Sequence, residues 1–194
     1  MSVLNVFTAN IRNFIEWSQL VSVVAVLLGG VTIAPPLLAQ EHSMGDDHAP
    51  AELVQIVQGA TRKYFNVNDA RKAGYGPFLG CVTGPDHGAM GIHYVNGKLL
   101  NGELYPDQPQ ALIYEPVGNR LRLVGVEFIV DAKTWLKANN NTPPVLKGQV
   151  LQLVAAPNRF NLPTFFELHV WAWRNNPNGA FVDWNNRVSC EQGR

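Results

Sequence analysis

The sequence lacks the signatures of most common enzyme chemistries. It contains no Gly-x-Ser-x-Gly elbow and no glycine loop leading to Lys-Ser/Thr, so the usual serine-hydrolase and phosphate-cradling readings lose their support. It also lacks Cys-x-x-Cys, which removes the common thiol-redox and haem-attachment patterns. Charge is sparse and evenly split, at 15% charged residues with Lys plus Arg and Asp plus Glu both 15. Nucleic-acid binders usually carry a basic excess on one face, so no nucleic-acid partner is expected. Internal repeats are missing, as is any break in composition that would mark a second folded domain.

Cysteine is almost absent. Cys81 and Cys190 are the whole complement, and a single internal bridge is the one pairing they allow. In an oxidising compartment that bridge is expected to form. It would tie the C-terminus to the region after the first helices, and closing a loop of about 100 residues stabilises a fold by roughly 4–5 kcal/mol through chain entropy.

Apolar residues are plentiful at 46%, enough for one sizeable core. Residues 1–39 read as a targeting segment. Leu20 to Leu28 is an apolar run, a second run ends at Pro35-Pro36-Leu37-Leu38-Ala39, and Ala39 suits signal-peptidase cleavage. An uncleaved anchor is the competing reading, since Leu20 to Ala39 is about the length that spans a bilayer. Only in that case is the membrane a partner. Both readings place the rest of the chain outside the cytoplasm, periplasmic or extracellular. Removing residues 1–39 takes away one charge of each sign, Arg12 and Glu16, so the balance holds.

Residues 40–49 are polar and read as a flexible tail. Residues 50–194 read as one exported domain. Leu53, Ile56, Val57, Ala60 and Tyr64 recur at helical spacing behind Pro50, which suits a helix start. A second short helix follows, with Asn68 as its cap, Asp69 in its first turn and Gly74 at its end. Tyr75 to Gly91, rich in Gly and Pro, reads as a long ordered loop. Strands are expected at 92–96, 110–115, 120–130, 149–155 and 164–174, with Asn96-Gly97 as a hairpin turn and a brief helix capped by Asp131. Helices followed by hairpin-linked strands give an α+β fold with a mainly antiparallel sheet and one disulfide.

The stretch Phe165 to Trp173 is aromatic and β-branched with alternation, the mark of a buried strand. Side chains alternate across a strand. Phe165, Glu167, His169, Trp171 and Trp173 therefore share one face. On the long strand, Leu121, Leu123, Gly125, Glu127 and Ile129 share another. Glu127, Glu167 and His169 thus sit among apolar neighbours, and buried polar groups need partners. With His93 on a neighbouring strand they form a candidate pocket for a small ligand or a divalent metal such as Zn or Cu. Two further readings stay open: an acid/base enzyme using Glu127 or Glu167 with His169, and a structural domain whose polar cluster is merely satisfied. The His-x-His of cupin metal sites is not met, because Ile92-His93-Tyr94 offers one His.

Weaker metal candidates lie elsewhere. His87, Met90 and His93 recur at spacings of three, a soft-leaning set that more often reflects a tight glycine loop with Met90 packed. His42 would be third in a chain cleaved after Ala39, where a free amine, backbone amides and an imidazole suit Cu²⁺. Trp135, Trp171, Trp173 and Trp184, with several Tyr, read mainly as core.

Overall fold

The computed structural model describes residues 51–84 and 86–191. The expected leader, the polar tail and His42 lie outside the described residues. Among those described, no helix is long and apolar enough to cross a membrane.

Helix α1 spans Glu52–Thr61 and buries Leu53, Val54 and Val57 along one stripe, the spacing of an amphipathic helix. Helix α2 spans Val67–Lys72 and is capped by Asn66, whose side chain accepts from the Asn68 amide at 3.0 Å. The cap is thus two residues earlier than Asn68. Gly74 follows in the left-handed region at φ 95°, a helix-ending conformation that glycine adopts without strain.

The strands are β1 Gly76–Gly84, β2 Gly88–Val95, β3 Ala111–Val117, β4 Arg120–Asp131, β5 Val145–Leu146, β6 Gln149–Val150, β7 Gln152–Val154 and β8 Phe165–Val170. Six of them form an antiparallel sheet in the order β1-β2-β3-β4-β8-β7, and β5 pairs with β6 separately. Helix α3, Ala132–Ala138, is capped by Asp131, which accepts from the Thr134 amide at 2.7 Å. The sheet is curled: edge strand β1 and the segment entering β8 line one cavity on its concave side. The main core fills the other side. There Leu53, Val57 and Ala70 of the helices meet Leu112, Tyr114, Val126, Phe128 and Leu168, each large side chain contributing roughly 1.5–3 kcal/mol of burial. The predicted bridge is present, Cys81 to Cys190.

Several expectations require correction. Tyr75 to Gly91 is largely a β-hairpin rather than a loop. Gly and Pro disguise β1, yet an edge strand tolerates both, and its register jumps between Phe78 and Val82. Asn96-Gly97 makes no tight hairpin but a 3-10 turn over Gly97–Leu99, followed by a long connection to β3. The strand expected at 149–155 breaks at buried Leu151, whose amide is taken by the Pro144 carbonyl. The last strand ends at Val170, and beyond it Trp173 turns to the helical side, donating from Nε1 to Thr61 Oγ1 at 3.0 Å. Trp173 therefore does not share a face with His169.

Strand β4 also departs from strict alternation. Ile113 pairs with Gly125 while Tyr114 pairs with Leu123, so Val124 is one residue extra, a β-bulge. Leu123 packs in the main core with Val126 and Phe128, whereas Val124 packs on the opposite side with Ile113 and Trp171. Leu121 and Leu123 thus do not share a face with Glu127. Glu127 and Ile129 face the cavity.

Gly125 sits where β4 passes close to the end of β8. A Cβ there would meet the Val170 carbonyl oxygen at 2.7 Å, so Gly125→Ala must push the two strands apart. The variant is expected to lose about 1–3 kcal/mol, as overpacked interiors do. The urea midpoint should fall with an unchanged m-value; a midpoint within error of the parent would refute the close approach.

Candidate functional site

Strands β2, β4 and β8 supply the polar residues at the floor of the cavity. Glu127 on β4 stands directly opposite His169 on β8, and Ile129 stands opposite Glu167. His93 comes from β2, across β3. On β3 the residue opposite Glu127 is Ala111, which also pairs with Val95 of β2. Its small side chain leaves room above it for longer ones from both flanking strands. His93 itself stands opposite Ile113, two positions along from Ala111, and reaches Glu127 across β3.

The resulting spacing is compact. His93 Nε2 lies 3.4 Å from Glu127 Oε2 and 3.4 Å from His169 Nε2. The imidazole rings are nearly perpendicular, at 89° with centroids 5.6 Å apart. Both distances are long for a hydrogen bond. They match the edge of a tetrahedron of ligands about 2.0–2.1 Å from a central ion, which is about 3.3–3.4 Å. His93, Glu127 and His169 thus offer three ligand atoms close enough to hold a metal, and all three residues are buried.

The far side of His169 is equally informative. Its Nδ1 is buried and makes no hydrogen bond; the nearest charged atom is Asp183 Oδ1 at 3.7 Å. Asp183 in turn accepts from Gln152 Nε2 at 3.0 Å. Glu167, His169 and Asp183 form a second group of appropriately spaced ligand atoms, sharing His169 with the first. Metal-bound histidines commonly direct their second nitrogen at a carboxylate, the position Asp183 occupies. Trp171 stacks over the His169 ring at 6.1 Å and 23°, and its Nε1 donates to the Val182 carbonyl at 2.6 Å. That bond holds the segment next to Asp183 in place.

Burial dominates the electrostatics. It lowers the His93 pKa to about 4 and holds His169 well below its usual range, with the charge of His93 adding to the latter effect. Both imidazoles are therefore neutral near neutral pH, the form that binds metal. Burial raises Glu127 well above the ordinary carboxylate range, helped by the charge of Glu167, a hydrogen bond with it, and Asp183. Burial likewise raises Glu167 to about 7 against the opposing effect of its bond to Glu127. Asp183 is also raised by burial, partly offset by Gln152.

The cavity above this floor measures about 710 Å³, within the usual range for small-molecule sites. Pro77, Phe78, Val82, Ile129 and Phe165 contribute to its walls, and His93, Glu127, Glu167 and His169 to its base. Of the weaker candidates, Met90 lines the same cavity. His87 is exposed in the turn between β1 and β2 and joins no candidate metal group among the described residues. Tyr75, Tyr94 and Tyr114 are core residues. Sequence reasoning missed Asp183. It lies in an irregular segment whose position is set by the docking of the tail, and no local spacing signals it.

No protein-family model, curated protein or solved structure shows a significant match to this chain.

The raised carboxyls make the metal-free protein sensitive to pH. Glu167 goes from an ordinary 4.5 to about 7 on folding, so its contribution to stability is complete below about 4.5 and is lost as pH rises through about 7. The lowered histidines act oppositely: their contribution is present above 6.5 and is lost as pH falls towards about 4 for His93. Glu167→Gln removes the first effect, eases the upward push of Glu167 on Glu127, and keeps the burial that lowers the histidines. In chelator-dialysed protein the variant should therefore gain on the parent as pH rises from 5 to 8, by more than about 1 kcal/mol. Urea midpoints that run parallel across this range would contradict the buried neutral carboxyl.

Proposed function

We propose that this chain binds one divalent metal ion through His93 Nε2, His169 Nε2 and the Glu127 carboxylate, and presents it to a small ligand in the cavity above. The observation that carries the reading is the triangle of ligand atoms. Three strands supply three buried ligand atoms within 4.8 Å of one another, with His93 Nε2 at tetrahedral-edge spacing, 3.4 Å, from each of the other two. Two imidazoles and a carboxylate suit Zn²⁺ and its first-row neighbours, and leave a fourth position free. That position opens on the cavity. Asp183 would accept from His169 Nδ1 and fix its tautomer. The apolar leader and the disulfide support an exported setting, periplasmic or extracellular, for this activity.

A second reading has one observation in its favour. Glu127 and Glu167 share a hydrogen bond beside a neutral His169, and carboxyls driven to different pKa values are the usual materials of acid/base catalysis. Such an enzyme would need no ion.

The discriminating measurement is metal content. The chain should be expressed with its own leader, purified without chelators and analysed by mass spectrometry for metals and for its N-terminal sequence. About one ion per chain is expected, as for a single site with one open position. It should be lost in His93→Gln and Glu127→Gln, with circular dichroism confirming that both variants fold. It should be weakened about 10–100-fold in Asp183→Asn, the usual cost of losing an outer-shell partner. Deleting residues 40–42 should leave it intact. Metal lost in Asp183→Asn but kept in His93→Gln would move the ion to Glu167, His169 and Asp183. A metal-free parent that takes up no added Zn²⁺ would sink the proposal in favour of the metal-free reading.

A further inference from the structure

Three buried apolar side chains, Val82, Met90 and Phe165, belong to neither of the two apolar cores. All three line the cavity instead, whose volume is about 710 Å³. Side chains that border open space lose the dispersion contacts that packed neighbours would supply. Water is a poor substitute against such walls, because it needs polar partners to stay bound. An apolar molecule of matching size restores those contacts and removes its own surface from water as well.

A second wall comes from outside the sheet. The irregular segment between β7 and β8 carries Phe160 and Leu162, both half-buried and both lining the cavity. Asn158 shapes this segment. Its Oδ1 accepts from the amides of Phe160 and Leu162, each at 3.2 Å, and its Nδ2 donates to the Leu162 carbonyl at 2.9 Å. Arg159 fastens the segment to the end of β1, donating from Nη2 to the Thr83 carbonyl at 3.0 Å. The same guanidinium lies over the Trp184 ring, 5.4 Å from its centre. Polar bonds thus hold two large apolar side chains against a space that lies outside both cores.

Phe78, Leu79 and Leu100 also line the cavity while 41%, 45% and 49% exposed, so apolar surface runs from solvent inwards. Exposed apolar side chains grouped in this way mark binding sites. The polar groups above the floor are committed elsewhere. Asn101 bonds with Glu103 through both ends of its amide. Thr164 Oγ1 accepts from the Ala156 amide at 3.0 Å, Asp131 caps α3, and Thr134 is exposed in the first turn of that helix.

We infer that the cavity takes an aliphatic chain, and that its walls supply most of the affinity whichever head the chain carries and whether or not an ion is bound. The inference rests on the proposed function only in taking the cavity as the ligand site.

Two pairs of probes differ within each pair only in length: 1-hexanol with 1-octanol, and 2-hexanone with 2-octanone. Each would be titrated by calorimetry into the full chain, once loaded with Zn²⁺ and once dialysed against chelator. Two added CH₂ groups should tighten binding about 15-fold in either pair and in either form. Ile129→Trp, from a half-buried position lining the cavity, should abolish octanol binding. Phe78→Ser combined with Leu100→Ser alters only exposed positions and should weaken octanol at least about fivefold. Circular dichroism would confirm the fold of both variants. A gain below about threefold in any pair or form overturns the inference, as does octanol binding that a folded variant leaves unchanged. If the chain takes up no Zn²⁺, the metal site falls alone, and the length dependence in the ion-free chain still decides this reading.

Discussion

His93, Glu127 and His169 are packed side by side away from water, and groups that carry or attract charge are buried at a cost that something must offset. The rest of the structure can be understood from that requirement. The curl of the sheet brings β2 within reach of β4. A large apolar core on the convex side, closed by α1 and α2, supplies stability that a polar floor does not. The cluster offsets part of its own cost by going neutral, with both imidazoles unprotonated and protons held on the raised carboxyls. An ion would offset more, because it replaces contacts of 3.4 Å with short coordinate bonds.

The C-terminal segment acts as the brace for this arrangement. Asn185 pairs with Ala89 of β2 through both backbone groups, and its side chain reaches the Arg174 carbonyl at 3.2 Å. The Ser189 amide donates to Glu115 Oε1 at 3.1 Å, while Arg122 holds the other oxygen of that carboxylate at 2.6 Å. Charge-assisted bonds of this kind are among the stronger ones available. With the bridge from Cys190 to Cys81, they fix a stretch that has almost no regular structure of its own. Asp183 is carried on it, so the carboxylate beside His169 is placed by the far end of the chain.

How much of this was legible in the sequence follows from where each residue sits. Glu167 and His169 belong to a strand buried on both faces, and plain alternation placed them together correctly. Glu127 was assigned to an apolar stripe whose first half, Leu121 and Leu123, in fact faces the other way. The bulge that separates them has no signature beyond Gly125. The pairing of Cys81 with Cys190 followed from there being no other partner. Strand β1 was hidden by its glycines and proline, which speak of backbone freedom and not of the edge position that makes them tolerable. Trp173 was misplaced because the strand ends at Val170, where the Trp171 amide turns to the Ala180 carbonyl. Asp183 and the cavity itself were beyond reach, since both are made by contacts between distant segments.

The bulge in β4 has a consequence for how such a site arises and is lost. Were Val124 an ordinary strand position and not a bulge, Glu127 would keep phase with Leu123 and point into the helical core, where a carboxylate has no role. The composition of the strand would scarcely change, and neither would its propensity to pair. Loss of the codon for Val124 would leave Leu123 and Gly125 opposite Tyr114 and Ile113 and the carboxylate still towards the cavity, whereas loss of one codon between Gly125 and Glu127 would turn it away. Two sequences of equal length and alike at every ligand position can therefore differ in where one residue is missing, and an alignment that shifts the gap for neatness would erase the difference.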